Sequence, residues 1–265
     1  MSAPTASAPP AAPSTPPTYT EEPILSIDHW NPGLVSIRLR RNPAYKFVPG
    51  QFARIGLRHE SGEIIWRAYS IVSAPAEPFI EFFLVVLPTG EFSSRLGKLV
   101  VGDAILVDPT AQGFLTPDRF TDGKDLWLFA TGTGLAPYIS MLRDPPTRAR
   151  FERIVLVVSV RKAEDFAYLA ELAALDNAAG AKLIVIKTLT RDEGSTDALH
   201  GRVTHLTESG ELERAAGFAM DKTRSRFMLC GNPEMVESMR AILKARGFTM
   251  NRKLTPGNII VENYW

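Results

Sequence analysis

The chain has 265 residues, 45% of them hydrophobic and 22% charged, with a formal net charge of +1. That balance fits one large or two ordinary globular domains and gives no bulk electrostatic reason to bind nucleic acid or an anionic membrane. A single cysteine, Cys230, excludes an internal disulfide and a four-cysteine metal or iron–sulfur site within one chain, and His29, His59, His200 and His205 are too scattered for a histidine metal site, so no metal is expected.

Residues 1–20 lack charged side chains and consist almost wholly of Pro, Ala, Ser and Thr, so they are expected to form a disordered tail. They have neither the basic start and apolar run of a signal peptide nor the arginines of a transit peptide, and no stretch of the chain is long and apolar enough to span a membrane; a cytoplasmic location is expected.

From Ile24 onward the pattern predicts strands over Ile24–His29, Leu34–Arg40, Phe52–Leu57, Ile64–Val72, Ile80–Leu87 and Ala104–Val107. Turn signals separate them, including Asn31-Pro32-Gly33, Pro49-Gly50, Ser61-Gly62 and Thr89-Gly90. One helical stretch, Ser93–Leu99, interrupts them, with Ser93 or Ser94 as its cap. This spacing predicts an antiparallel β-barrel or sandwich over residues 21–120.

From Leu126 the pattern becomes apolar runs alternating with helices. Strands are predicted at Leu126–Ala130, Ile154–Val160, Leu183–Leu189, Phe227–Cys230 and Ile259–Val261. Helices are predicted to about Arg143, over Asp165–Asn177, and after Asn232-Pro233, with Gly247 past the end of the last. Alternation of this kind predicts an α/β doubly wound parallel sheet over residues 121–265.

Candidate chemistry falls at a few points. Arg67-Ala68-Tyr69-Ser70 offers, on one strand, a guanidinium for phosphate, an aromatic ring for a flat ligand and a hydroxyl for a ring heteroatom. Gly90, Phe92, Ser93 and Ser94 open a helix where a pyrophosphate could be held; an ordinary hairpin exit explains them equally. In a parallel sheet, ligands sit beyond the carboxyl ends of the strands. Thr131-Gly132-Thr133-Gly134 and Cys230-Gly231-Asn232-Pro233 both fall there, although either is also a tight strand-to-helix turn. Arg161, Thr190 with Arg191, and Arg202 follow strands at the same edge and suit an extra phosphate, or are solvated surface charge. The chain closes on Glu262-Asn263-Tyr264-Trp265, and two terminal aromatics make sense if they stack on flat rings.

In this order, over roughly residues 22–265, these motifs resemble the ferredoxin–NADP(+) reductase family, and the Tyr-Trp ending resembles its bacterial members, which serve ferredoxin or flavodoxin. The resemblance implies an enzyme (EC 1.18.1.2 type) exchanging electrons between NADPH and ferredoxin or flavodoxin through FAD. It implies that Arg67, Ala68, Tyr69, Ser70, Gly90, Phe92, Ser93, Thr133, Tyr264 and Trp265 hold FAD. By the same resemblance Arg161, Thr190, Arg191, Arg202, Cys230, Gly231 and Asn232 hold NADP, and Ser70, Cys230, Glu262 and Tyr264 form the hydride-transfer site. The alternative is an NAD(P)H-dependent reductase feeding an oxygenase or another acceptor. A monomer with a basic rim drawn from Arg40, Arg41, Lys46, Arg252 and Lys253, facing an acidic carrier, is expected.

Overall fold

A computed structural model describes residues 18–176, 180–192 and 197–263. The first sheet contains β1 (Thr20–Asn31), β2 (Leu34–Arg40), β3 (Phe52–Arg58), β4 (Ile64–Ser70), β5 (Phe79–Val85) and β6 (Ala104–Val107), with the helix α1 (Glu91–Leu96) before β6. Its order is β4-β3-β6-β1-β2-β5 with every pair antiparallel, and a bridge from Ile71 to Phe82 brings the two edges together into a barrel. Period-two alternation drives the inward side chains of Ile37, Leu39, Ile55 and Leu84 into one core.

The second sheet is built from β7 (Asp125–Thr131), β8 (Arg153–Val160), β9 (Lys182–Leu189), β10 (Leu199–His200), β11 (Ser225–Gly231) and β12 (Ile259–Asn263). It is parallel throughout, in the order β10-β9-β8-β7-β11-β12. Helices α2 (Ala136–Arg143), α3 (Pro145–Arg148) and α4 (Leu169–Asp176) precede or follow β8, and α5 (Val203–Glu208), α6 (Glu211–Ala216) and α7 (Pro233–Ala245) complete the layer set. Both faces of this sheet are covered, which is why its strands read as unbroken apolar runs: all seven residues of β11 are buried. One face, with α2, packs against Val72, Phe83 and Leu115 from the barrel half, so a single core runs across the junction. The other face packs on α5 and α7 through Val203, Leu206, Val236, Met239 and Leu243.

Helix α7 starts where its sequence demands. The Asn232 side chain accepts hydrogen bonds from the N–H groups of Glu234 (2.8 Å) and Met235 (3.2 Å), Pro233 opens the helix, and Gly247 follows its end at φ +85°.

Several expectations need correction, among them the fifth strand, which ends at Val85 rather than Leu87, and the helix after it, which ends at Leu96 rather than Leu99. The first strand opens at Thr20, because Thr20–Pro23 pair with β6. The fourth ends at Ser70, two residues early. The cap position of α1 is Gly90 rather than Ser93 or Ser94; Ser93 lies inside the helix, its hydroxyl accepting from Leu87 N–H and donating to Val85 O. The helix predicted over Asp165–Asn177 begins only at Leu169. Asp165 instead closes a 3-10 turn, accepting from Lys162 N–H and from the Asn31 side chain, and Tyr168 adopts φ +62° to bury its ring. Helices α3, α5 and α6 and strand β10 were not predicted. Residues 1–17, most of the expected tail, lie outside the described residues.

Candidate functional site

Strands β8 and β9 lie to one side of β7 and β11 and β12 to the other, so a crevice opens between the carboxyl ends of β7 and β11. Two glycines bring those ends together. A side chain on Gly231 (φ +129°) would stand 2.1 Å from Thr131 Oγ1, and one on Gly134 would stand 2.5 Å from Cys230 O. Thr131 Oγ1 accepts the Asn232 N–H at 2.7 Å, tying the two loops. Gly132 (φ +53°) differs from both: nothing lies within 4 Å of where its side chain would be, so its backbone faces open space. Thr133 is half-buried beside it, within a 3-10 turn over Gly132–Leu135.

The neighbouring strand ends gather the arginines. Thr190 N–H donates to Val160 O (3.1 Å), Arg191 N–H to Arg161 O (2.9 Å) and Gly201 N–H to Leu189 O (2.8 Å). Arg161, Thr190, Arg191 and Arg202 therefore share one edge, all exposed. Among the described residues none of the three guanidiniums is engaged by a carboxylate, in contrast to Arg143, Arg153 and Arg224 elsewhere. Three arginines at one sheet edge, without a carboxylate partner among the described residues, suit a phosphate.

On the barrel, β4 presents Arg67 and Ala68 exposed, Tyr69 half-buried and Ser70 buried. Arg67 donates to Trp66 O at 2.8 Å. The Tyr69 ring packs 5.8 Å from the Phe92 ring of α1, and burial pushes its phenol above the usual tyrosine range while Arg67 pulls it down. Gly90 thus stands at the start of α1, with Phe92 and Ser93 turned into the barrel.

Cys230 and Glu262 are register partners on adjacent strands, and a chain of neighbours links them to Ser70 on the barrel. Ser70 pairs with Phe52 in the barrel register. Phe52 bridges Gln112, and the next residue, Gly113, faces both the Phe52 ring and the Glu262 carboxylate. Glu262 pairs with Cys230 in the parallel register. Cys230 is enclosed completely, and Glu262 is half-buried. Tyr264 and Trp265 lie outside the described residues. Sequence reasoning missed Gly113. The signal for Gly113 was present as a lone glycine in Ala111-Gln112-Gly113-Phe114, soon after a strand.

A closed antiparallel barrel packed through Val72, Phe83 and Leu115 against an all-parallel sheet, with glycine-bared strand ends beside the junction, fits a nucleotide-dependent oxidoreductase. Residues 128–241 match the family model described as an oxidoreductase NAD-binding domain. The chain is 41% identical to ferredoxin–NADP reductase A of Sorangium cellulosum over 254 residues, covering 93% of this chain and 90% of that one. It is 38% identical to the flavodoxin/ferredoxin–NADP reductase of Escherichia coli, over 91% of this chain and 97% of that one. The crystal structure of a ferredoxin NADP+ reductase from Neisseria gonorrhoeae with bound FAD and NADP superposes with a TM-score of 0.88 at 37% identity, covering 94% of this chain and all of that one. The chain belongs to the ferredoxin/flavodoxin–NADP reductase family.

Proposed function

We infer that this chain is a flavoenzyme that exchanges electrons between NADPH and a one-electron carrier, ferredoxin or flavodoxin, with FAD as its cofactor. One observation supports the reading beyond family membership: Glu262 pairs with Cys230 at the junction and Gly113 links that pair to the strand end that holds Ser70, while among the described residues no carboxylate engages Arg161, Arg191 or Arg202 at the neighbouring strand ends. The residues present fit both nucleotides. Gly132 offers bare backbone to open space, and β4 offers an exposed arginine two residues from a half-buried tyrosine. FAD, when bound, supplies the link between hydride chemistry and single-electron transfer.

The chain's own residues bind, orient and shield. In our reading residues 21–120 form the FAD-binding domain and residues 121–265 the NADP-binding domain. Arg67 holds a pyrophosphate with the backbone of Gly90 and Phe92 beside Ser93, and Ala68 leaves room for the ligand to approach. Tyr69 and Ser70 flank the flat ring, where the Ser70 hydroxyl orients a proton at the reacting nitrogen. Thr133, Gly231 and Asn232 line the nicotinamide end of the crevice, and Arg161 takes the second pyrophosphate. Thr190, Arg191 and Arg202 take the 2′-phosphate, favouring NADPH over NADH. Cys230 and Glu262 border the reacting atoms. By the family resemblance, Tyr264 would stack on the flavin ring and Trp265 would cover the adenine.

The carrier is expected to be acidic. Arg252 and Lys253 stand exposed on a tight turn joined to the barrel side by the Asn251 side chain, which donates to Arg119 O at 3.2 Å. Arg40 is instead held by the buried Glu22, and Arg41 donates to Pro75 O, which makes both weaker candidates for the rim. Among the described residues no helix is long and apolar enough to cross a membrane; a cytoplasmic monomer remains our reading.

Mixing the FAD-loaded protein with NADPH and either ferredoxin or flavodoxin tests the function. Reduction of either carrier at a rate proportional to enzyme supports it. Carriers that stay oxidised while NADPH reduces the enzyme would point to a different acceptor, such as an oxygenase.

A further inference from the structure

We propose that Gly113 is a positioning residue for Glu262, a bare-backbone spacer that lets the barrel loop pass without displacing the carboxylate of this register partner of Cys230. The proposal rests on the reading above that Glu262 borders the reacting atoms. Two independent features of Gly113 support it. Its φ of +107° is one that side-chain-bearing residues rarely adopt. A side-chain carbon built there would also stand 2.9 Å from Glu262 Oε1 and 3.0 Å from Phe52 Cδ1.

The two contacts respond differently to a substitution. The backbone of Phe52, at the start of β3, is bonded to Gln112 in both directions at 2.8 and 2.9 Å, and at 3.0 Å its ring is the looser of the two contacts. The Glu262 carboxylate is the far end of a flexible side chain, so it is the group that yields. Gly113→Ala therefore moves the carboxylate while leaving the crevice glycines and the arginine edge untouched. The defect belongs to the turnover step and not to nucleotide affinity.

A double-mutant cycle separates this from strain, because the backbone penalty at 113 is present whichever residue occupies 262. Gly113→Ala is made in the natural background and in Glu262→Ala, and Gly113→Asn is made in both as a second variant, since Asn is among the side-chain-bearing residues most often found at positive φ. Two readouts are taken: the thermal midpoint of the protein with its flavin removed, and the rate of flavin reduction by NADPH in the loaded protein. The expected result is a larger fall in midpoint for Gly113→Ala in the natural background than in Glu262→Ala. About tenfold slower reduction is expected in the natural background, at unchanged NADP(+) affinity, with no further slowing in Glu262→Ala. Glu262→Asp, one methylene shorter, should restore part of the rate lost in Gly113→Ala. Equal effects in both backgrounds, including equal failure of both variants to fold, would overturn the proposal. If NADPH leaves the unaltered protein's flavin oxidised, the functional reading fails instead, and the midpoint cycle still decides whether 113 and 262 are coupled.

Discussion

Nη1 of Arg143 on α2 lies 2.7 Å from Oε2 of Glu81 on β5, an ion pair that clasps the parallel-sheet half to the barrel. Glu81 is 1% exposed, and its other partners are Arg38 at 3.0 Å and the Tyr168 hydroxyl at 2.9 Å. Tyr168 in turn meets Ser36 Oγ at 2.5 Å, and Arg143 grips Glu171 with two bonds of 2.6 and 2.9 Å. Every charge at the centre of the junction has a hydrogen-bonded partner, which is the condition for tolerating it there. Removing one partner strands the other: Arg143→Ala is expected to cost about 3 kcal/mol or more, measured by urea unfolding.

The same clasp gives the stability a pH dependence. Burial pushes the Glu81 carboxyl up, but the Arg143 and Arg38 guanidiniums more than offset this, and its pKa in the folded protein lies below the ordinary value. A depressed carboxylate contributes stability that is present above the unfolded-state pKa of about 4.3 and is lost as pH falls through the folded one. Urea midpoints should therefore decline on acidification below that value. Glu81→Gln should be less stable at neutral pH and show a shallower decline; an unchanged acid slope would assign the sensitivity to another carboxylate, such as Asp125 with its two arginines.

Gly231 admits no side chain. Alanine there would meet Thr131 Oγ1 at 2.1 Å on a backbone at φ +129°, so Gly231→Ala is expected to destabilise by about 2 kcal/mol or more through overpacking and strain. It should also weaken NADP(+) binding, because Thr131 and Asn232 would lose their mutual bond. Thermal unfolding and nucleotide titration check the two effects separately.

Asn232→Ala removes the acceptor shared by the first N–H groups of α7. A loss of about 1 kcal/mol is expected from thermal unfolding, as for other side-chain caps.

Arg191→Ala and Arg202→Ala should each reduce kcat/KM for NADPH by about tenfold or more and leave that for NADH nearly unchanged, since a charge-assisted bond contributes about 1.5–3 kcal/mol. A parallel fall with both nucleotides would mean that these arginines do not read the 2′-phosphate.

Much of this was legible in the chain, and the reasons differ by element. Helix α7 carried its own punctuation in Asn232, Pro233 and Gly247, so local chemistry determined it. The parallel strands were legible because both faces are covered. Helix α4 was misjudged at its start because the Tyr168 conformation is set by a partner on the barrel, Glu81, 87 residues away. Helices α5 and α6, six residues each, carry too little periodicity to stand out. The strand-end loops of the site could be found by scanning for glycines after apolar runs. Gly113 was visible only as one more glycine after a strand; its constraint comes from Glu262, across the junction, and the clasp around Glu81 was invisible for the same reason.

The most direct test of the central claim is the visible spectrum of the purified protein during oxygen-free addition of NADPH, and separately of NADH. A bound flavin band bleached much faster by NADPH is the expected result, since it requires both the β4 flavin site and the arginine edge. A flavin that neither nucleotide bleaches, or a folded protein that binds no flavin, would contradict the account.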